Sequence, residues 1–383
     1  MLPWKACTVG DSMEQIDTPS LILDLDAFER NLSHMTRLRG QMRLRPHAKS
    51  HKCPEIARAQ IAHGAVGICC QKLSEAAVFA SAGITDILVT NQLVGERKLR
   101  HVRELAQTIR LGVLVDHAEQ IRSLGHVMAG SHHELDVYVE IDVGAGRCGT
   151  TVEQSVVLAR KIHALDGIRF AGVHAYHGGA QHLRKPYERA AAIRFAAARA
   201  SQARDAIESV GMTVPIITGA GTGTFWHERD SGVYNELQPG SYIFMDRDYA
   251  DNEPDAGEAR FEHALFVLAT VQSRPAPDVA VIDAGLKASS VDSGMPAVYK
   301  RTDLKYVKAS DEHGVIKIGS QHGLSSSAKI SDATTGHGLQ LGDKLMLIPG
   351  HCDPTVNLYD EIICVRGGKV EAIWPISARG ASL

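Results

Sequence analysis

Short apolar runs alternate with amphipathic helical stretches over residues 43–246 of this 383-residue chain. Such alternation is typical of a parallel sheet whose strands are joined by helices. Eight runs are candidate strands, and eight parallel strands can close into a (β/α)8 TIM barrel, so the pattern predicts this α/β fold. The runs are RLRPHA (43–48), VGICC (66–70), DILVT (86–90), LGVLVD (111–116), LDVYVEIDV (135–143), FAGVHAY (170–176), VPIITG (214–219) and SYIFMD (241–246).

The pattern changes at about residue 262, where β-branched runs separated by turn residues replace the helical stretches. These runs predict a second, mainly antiparallel β domain. The segment PSLILD (19–24) is an extra strand that we expect to pair into this second domain. The polar stretch DNEPDAGEAR (251–260) marks the boundary. We therefore expect a barrel domain at 25–255 and a β domain made of 1–24 and 256–383.

Polar side chains occupy the face of several strands that should line the barrel interior. Alternation places Arg45, His47 and Lys49 on one face of the first strand, and Glu140 on the equivalent face of LDVYVEIDV. FAGVHAY gives His174 the same position. Barrel interiors are usually apolar, and active sites of this fold lie at the carboxyl ends of the strands, so the lining predicts an active site there. A structural layer of ion pairs is the alternative.

Lys49 is predicted to end the first barrel strand and to point inward. Positive neighbours in RPHAKSHK and partial burial both disfavour a protonated amine, so they should lower its pKa toward the form that attacks a carbonyl. A Schiff-base lysine requires this property. Lys52, Lys72 and Lys287 compete for the role, and a surface lysine is the alternative for each.

Two further segments carry candidate chemistry. ITGAGTGTF (217–225) follows the seventh strand, where barrels often bind phosphate, and its glycines can present backbone N–H groups; a plain turn is the alternative. Near the carboxyl terminus, PGHCDPT places His351 and Asp353 two residues apart. In an extended segment these two side chains share a face and can hold one divalent metal, although an isolated His-x-Asp is usually coincidence.

Composition excludes several classes of protein. With 41 Lys+Arg against 44 Asp+Glu, the net charge of −3 argues against nucleic-acid binding, which needs clustered cations. No run is apolar enough for a membrane helix, and the first residues lack the apolar core of a signal peptide. Seven scattered Cys in a chain this long indicate reduced thiols. We therefore expect a cytoplasmic protein that contacts neither membranes nor nucleic acids.

The motifs occur together in an order that resembles one family. RPHAKSHK, CCQK, EIDVGAGRCG, AYHG, GAGTGT, YNELQPGSYIFMD, VIDAGLK, SDEHGV and HCDPT resemble the D-threonine aldolase and D-3-hydroxyaspartate aldolase group. These are pyridoxal 5'-phosphate (PLP) enzymes of fold type III with the alanine-racemase-like architecture, and they are related to D-serine dehydratase. The resemblance covers about residues 18–380.

The resemblance implies a role for each matching residue. Lys49 would form the Schiff base with PLP, and Arg147 would donate to the pyridine nitrogen. His351 and Asp353 would bind a divalent metal, with Mn2+ expected and Mg2+, Co2+ or Zn2+ as alternatives. The dehydratase branch usually has Cys where this chain has Asp353, so the carboxylate favours the aldolase branch. The residues that would line the cofactor or hold its phosphate are Gln71, Tyr176, Gly221, Thr222, Gly223 and Tyr242.

The implied reaction is cleavage of a D-3-hydroxy amino acid to glycine and an aldehyde, with the metal binding the β-hydroxyl. Its base is left open among His351, a metal-held hydroxide and His182. A dehydratase giving ammonia and a keto acid, a non-catalytic PLP carrier and a purely structural metal site are the alternatives.

The resemblance also implies a homodimer in which Asp311 and His313 act on the partner's site. The runs DAGLKASSVDSG and HCDPT are nearer the hydroxyaspartate type, whose substrate carboxylate needs a cation such as Arg184 or His182.

Overall fold

The computed structural model describes residues 4–255, 260–319 and 338–383, so part of the predicted boundary stretch, 256–259, lies outside the described residues. The chain forms two compact units. The β unit consists of Met1–Glu29, Phe244–Ala250 and Glu262–Ile376. The barrel unit consists of Arg30–Ile243, Asp251–Phe261 and Ser377–Leu383.

The strands follow the predicted alternation through the barrel unit and then succeed one another directly in the β unit. In chain order they are β1 (Ser20–Asp24), β2 (Arg43–Leu44), β3 (Ile68–Cys70), β4 (Asp86–Gln92), β5 (Arg110–Val115), β6 (Leu135–Glu140), β7 (Ile168–His174), β8 (Ile216–Gly219), β9 (Glu236–Leu237), β10 (Leu265–Ala276), β11 (Val279–Ile282), β12 (Ala297–Val298), β13 (Leu304–Ala309), β14 (Gly314–Ile318), β15 (Lys344–Ile348), β16 (Glu361–Arg366) and β17 (Lys369–Pro375).

Most helices lie between the barrel strands, and their starts show local sequence signals. Thr151 caps α6 by accepting a hydrogen bond from the Gln154 N–H, and Pro186 is the first residue of α7. The helices are α1 (Leu25–Leu38), α2 (Pro54–Ala62), α3 (Leu73–Ser81), α4 (Glu96–Ala106), α5 (Ala118–Met128), α6 (Val152–His163), α7 (Pro186–Glu208), α8 (Phe225–Asp230), α9 (Arg247–Ala250) and α10 (Cys352–Val356). None of those in the described ranges has the length and apolar character needed to cross a membrane.

The barrel sheet confirms the predicted fold. Its eight strands are parallel in the order β2-β9-β8-β7-β6-β5-β4-β3. A parallel bridge between His47 and Cys69, with the Cys69 N–H donating to the Pro46 carbonyl at 2.8 Å, joins the two edge strands and closes the ring. Buried apolar residues of the strands and helices form the core between the sheet and its helical layer.

The predicted eighth strand is wrong in position. The strand is β9, which pairs with β8 and β2, whereas Ser241–Ile243 in SYIFMD forms a 3-10 helix. Both segments are buried, and periodicity alone does not separate a short buried strand from a buried helical turn. β9 was missed because its Glu236 is a charged residue in a short run, buried against Arg45 with a 3.0 Å hydrogen bond.

The barrel interior contains both a structural layer of ion pairs and a polar lining at the carboxyl ends of the strands, the two possibilities that the alternation of side chains allowed. Arg45 pairs with Glu236 and with Asp86 at 2.5 Å, which is a structural ion-pair layer near the strand starts. Above it an apolar layer includes Tyr138, and beyond that layer Glu140 lies 3.4 Å from His174 at the strand ends. The interior therefore becomes polar again where the active site was expected.

The β unit is built on one mainly antiparallel sheet, as predicted. β1 pairs antiparallel with β10 and parallel with β16, which confirms that PSLILD joins this unit. β10 also pairs with β11 and β15, while β16 and β17 form a hairpin. Residues of these strands pack one apolar core that includes Ile22, Phe266 and Ile363.

Candidate active site

The residues proposed to bind the cofactor all belong to the barrel unit and follow the carboxyl ends of its strands. Because all eight strands are parallel, these ends share one mouth of the barrel. In strand order the residues are Lys49 after β2, Gln71 after β3, Arg147 after β6, Tyr176 after β7, Gly221, Thr222 and Gly223 after β8, and Tyr242 after β9.

Lys49 lies in a 3-10 helix, Ala48–Ser50, just beyond the His47 bridge, rather than at the end of a regular strand. The chain leaves the sheet there because Ala48 and Lys49 begin a helical turn. The Lys49 N–H donates to His47 Nδ1 at 3.3 Å, so the His47 proton resides on Nε2, which lies 2.9 Å from Thr90 Oγ1. Burial, and then the charge of Lys49, hold the pKa of His47 well below its usual range. A neutral imidazole therefore lies beside the proposed Schiff-base lysine.

The three competing lysines have other contacts. Lys52 forms an ion pair with Glu75 at 3.2 Å, and its backbone φ of 51° turns it away from the helical path of its neighbours. Lys287 pairs with Glu312 on the exposed surface of the β unit. Lys72 precedes α3, where its N–H donates to Glu75 at 3.0 Å.

A network of polar side chains crosses the mouth of the barrel. Gln71 Nε2 donates to the Thr90 carbonyl at 3.2 Å. Glu140 accepts from Gln92 and faces His174 Nδ1 at 3.4 Å. Burial alone would raise the pKa of Glu140, but the hydrogen bond and charge of His174 lower it. Glu140 is therefore an anion at the base of the mouth.

Arg147 extends from the glycine-rich loop after β6. Its guanidinium lies 6.0 Å from the ring centroid of Tyr176, which follows β7. The positive charge also contributes to the lowered pKa of Glu140. Two of the residues that the resemblance assigns to the cofactor are thus neighbours, and their roles stay predictions.

The glycine-rich loop after β8 contains a polar atom that has no described partner. Thr222 is buried, and its Oγ1 meets no hydrogen-bond partner within residues 4–255, 260–319 and 338–383. An orphaned buried hydroxyl costs free energy unless a ligand or water satisfies it, and a phosphate oxygen is a suitable acceptor. Tyr242 is also buried, with its hydroxyl accepting from Gln60 Nε2 at 3.3 Å. These residues fit the phosphate of PLP.

The segment after β7 carries both predicted substrate residues of the barrel unit. His182 is exposed at the end of the 3-10 helix Gly179–His182. Arg184 follows it, and its Nη1 donates to Asn252 Oδ1 at 2.8 Å. Asn252 Nδ2 in turn donates to the Gln181 carbonyl at 2.9 Å, which fixes the segment at its start.

In the β unit, His351 and Asp353 lie at the start of a short helix and not in an extended segment, so that part of the prediction is wrong. His351 is extended and precedes α10, whereas Asp353 is within its first turn. The chain turns helical because Asp246, fully buried, accepts the Cys352 N–H at 2.9 Å. Cys352, between them, points inward, with Sγ donating to the Met245 carbonyl.

Two acidic residues beside His351 were not identified from the sequence. Asp292 Oδ2 lies 2.8 Å from His351 Nδ1. Burial opposes a charged ring, but this hydrogen bond and the Asp353 and Asp246 carboxylates raise the pKa of His351. Asp246 lies just after the 3-10 helix Ser241–Ile243 and Asp292 lies between β11 and β12, so neither position carried a sequence signal of a site. An imidazole with carboxylates beside it suits a divalent cation.

Asp311 and His313 are exposed in the loop between β13 and β14. Backbone hydrogen bonds shape this turn, with the Ser310 N–H donating to the His313 carbonyl at 2.9 Å. The Asp311 carbonyl accepts from the Lys287 N–H at 3.0 Å. Both side chains are therefore presented on the surface of the β unit.

Comparison with known proteins assigns the chain to a family. Residues 23–248 match the family model for the N-terminal domain of alanine racemase, and residues 264–365 match the model for a putative serine dehydratase domain. A D-threonine aldolase from Arthrobacter sp. is 46% identical over 97% of this chain and 95% of that protein. A 3-hydroxy-D-aspartate aldolase from Paracoccus denitrificans is 44% identical over 97% of this chain and 94% of that protein.

Solved structures agree. The crystal structure of a D-threonine aldolase from Filomicrobium marinum superimposes with a TM-score of 0.93 at 45% identity, covering 99% of this chain and 100% of that one. The structure of a D-threo-3-hydroxyaspartate dehydratase from Delftia sp. HT23 is more distant, with a TM-score of 0.82 at 27% identity, covering 95% of this chain and 98% of that one.

A barrel with a lysine at its mouth and a second β unit defines the class of alanine-racemase-like PLP enzymes. Within this class the chain belongs to the family of D-threonine aldolases and 3-hydroxy-D-aspartate aldolases. It is a PLP-dependent carbon–carbon lyase.

Proposed function

We propose that this protein cleaves D-3-hydroxy amino acids of the D-threonine or D-3-hydroxyaspartate type to glycine and an aldehyde. The observation that carries the proposal is its high identity, over nearly the whole chain, to aldolases acting on both substrates. Dehydratases of the same architecture share much less of the sequence. We propose the barrel unit (predicted as 25–255) as the PLP-binding domain, and 1–24 with 256–383 as the domain carrying the metal.

Lys49, Arg147, Tyr176 and the loop around Thr222 are the residues we propose to hold PLP. When bound, PLP withdraws electrons from the amino acid attached to it, which allows the Cα–Cβ bond to break. The neutral His47 beside Lys49 adds no positive charge to the site, while Lys49 Nζ must lose a proton to attack the cofactor's carbonyl. Thr222 Oγ1 is a ready hydrogen-bond donor for the phosphate.

His351 and Asp353 are the proposed metal ligands, and Asp292 orients the histidine. Because His351 Nδ1 donates to Asp292 Oδ2, its Nε2 carries the lone pair that a metal requires. A divalent ion supplies positive charge that lowers the pKa of a hydroxyl group. One imidazole and one carboxylate oxygen suit Mn2+, which we propose, and Mg2+, Co2+ or Zn2+ are the alternatives.

The hydrogen bond between His351 and Asp292 bears on which group removes the proton from the substrate hydroxyl. If Nε2 of His351 binds the metal and its Nδ1–H is donated to Asp292, neither nitrogen is left to accept a proton from substrate. His351 would then be unsuited to act as the base, and the candidates that remain would be His182, exposed after β7, and a hydroxide supplied by the metal site. Arg184, two residues beyond His182, is the proposed cation for a substrate carboxylate, which favours 3-hydroxyaspartate.

We also propose a cytoplasmic homodimer. Exposure of Asp311 and His313 at a hairpin supports a role in the partner's site. All seven cysteines are free thiols, as in proteins of reducing compartments.

The test is a product analysis with purified protein, PLP and Mn2+ against a panel of D- and L-3-hydroxy amino acids. We expect glycine and an aldehyde from the D-isomers. Lys49→Ala should abolish them, whereas Lys52→Ala, a matched change at the lysine paired with Glu75, should retain turnover. Ammonia and a keto acid would assign a dehydratase instead, and PLP binding without turnover of any substrate would assign a carrier.

A further inference from the structure

A fully buried amide, Gln181, links the segment after β7 to the glycine-rich loop after β8. We propose that Gln181 is a positioning residue that sets the loop Gly221–Gly223 in the conformation that receives a phosphate group. The inference rests on the proposed PLP site. The role assigned to Gln181 is to act through this loop and not on the ligand directly.

The orientation of the Gln181 amide is fixed by its partners. The Gly223 N–H can only donate, so the atom 2.9 Å away is the oxygen, Oε1. The amide nitrogen then donates to Thr224 Oγ1 at 2.7 Å. One side chain thus makes buried hydrogen bonds to Gly223 of the loop and to Thr224 just after it, and its Nε2 also donates to the His177 carbonyl at 3.3 Å.

The two glycines of the loop are shaped by this contact. A Cβ placed on Gly221 would lie 2.5 Å from Gln181 Oε1, and one on Gly223 would lie 2.7 Å from the Gln181 carbonyl oxygen. Neither position has space for a side chain. The sequence-based expectation was that these glycines leave backbone N–H groups open to the phosphate. In the structure the Gly223 N–H already donates to Gln181 Oε1, whereas Thr222 Oγ1, between the two glycines, has no described partner and is available to a ligand.

The hydrogen bonds of Gln181 extend to further residues on both sides of the amide. Thr224 Oγ1, having accepted from the amide, donates its own proton to Glu228 Oε1 at 2.9 Å, inside α8. On the other side, the Gln181 carbonyl accepts from Asn252 Nδ2. Since His182 is the next residue, the arrangement couples the phosphate-binding loop to the segment that carries a proposed base.

A residue that merely fills space would affect every ligand of the site alike. A residue that positions the phosphate loop affects ligands that carry a phosphate and spares those that lack one. Pyridoxal 5'-phosphate and pyridoxal differ only in this group, so the ratio of their dissociation constants isolates the loop's contribution.

The experiment measures both dissociation constants by absorbance titration of the apoprotein, for the wild type and for Gln181→Met, which keeps the length of the side chain and removes its hydrogen bonds to His177, Gly223 and Thr224. Leaving the Gly223 N–H buried without a partner should weaken PLP binding by about tenfold or more. The affinity for pyridoxal, which has no phosphate, should change by less than about twofold.

Asn235→Leu is the matched control. Asn235 Oδ1 accepts the Ile217 N–H at 2.9 Å and its Nδ2 donates to the Pro215 carbonyl at 2.8 Å, so it bridges backbone at the other end of β8. Its loss should leave the ratio unchanged. Gln181→Glu keeps an oxygen for the Gly223 N–H but adds a negative charge, so it too should weaken PLP selectively, and it serves if Gln181→Met fails to fold.

Equal loss of affinity for the two ligands in the Gln181 variants, or no loss of either, overturns the positioning role. A wild-type protein with no preference for PLP over pyridoxal overturns the proposed phosphate site itself. The two failures are distinguishable because only the second one is visible without any substitution.

Discussion

The buried carboxyl of Glu228 makes a quantitative prediction about stability and pH. Glu228 lies in α8 and is 1% exposed, with Thr224 Oγ1 donating to Oε1 at 2.9 Å. Burial raises its pKa from 4.5 to about 8. The folded protein therefore binds this proton more tightly than the unfolded chain does. The stabilisation is fully present below pH of about 4.5 and is lost as the pH rises through about 8.

Glu228→Gln removes this titration, because an amide stays neutral at every pH. At about 1.4 kcal/mol per pKa unit, the rise in pKa corresponds to about 5 kcal/mol over the whole range. Relative to the wild type, the variant should therefore gain unfolding free energy as the pH rises, by about 1.4 kcal/mol per pH unit between pH of about 5 and 8.

Urea denaturation at a series of pH values measures the difference between the two proteins. Glu96→Gln, the same change at an exposed residue of α4 that pairs with Arg100, is the matched control. We expect the free-energy difference between wild type and Glu228→Gln to slope with pH, and that for Glu96→Gln to be flat above about pH 5. A flat difference for Glu228→Gln as well would refute the claim that the carboxyl is neutral in the fold.

Three further predictions concern the ion pairs and the metal. Arg45→Met removes one of the two cations that pair with buried Glu236, leaving Arg43 at 3.1 Å, and should lower the unfolding free energy by about 2–3 kcal/mol in urea denaturation; a loss below about 1 kcal/mol would contradict the interior ion-pair layer. Asp292→Ala frees His351 to rotate and should weaken Mn2+ binding, measured by calorimetry, by about 10–100-fold; unchanged affinity would exclude the orienting role. Chelation by EDTA should stop aldehyde formation and Mn2+ should restore it, whereas persistent turnover would leave the metal a structural role.

The fold was predictable because every barrel strand except one coincides with an apolar run between two helical stretches. The exception shows the limit of that signal. β9 contains Glu236, and this carboxylate can be buried because it pairs with Arg45, which lies 191 residues earlier in the chain. Local periodicity carries no information about such a distant partner. The pattern therefore predicts the eighth barrel strand at the neighbouring apolar run SYIFMD and not at β9.

Residues of the proposed site could be predicted from the sequence only where the residue type and its place in the fold together indicate one kind of chemistry. Lys49 was proposed from its predicted place at the end of the first strand, and the other residues of the proposed site from the resemblance to the family. Gln181 and Asp292 were not identified, because a buried Gln and an exposed Asp are ordinary residues until their partners are known. Those partners, Gly223 and His351, lie 42 and 59 residues away.

The central claim is that the Lys49 amine binds PLP covalently, and reduction with borohydride tests it directly. The protein is loaded with PLP, reduced, digested and analysed by mass spectrometry for the phosphopyridoxyl group. We expect one modified lysine, Lys49, in the wild type and none in Lys49→Ala. A modification on Lys52 or Lys72 that persists in that variant, or no modification in the wild type, would contradict the account.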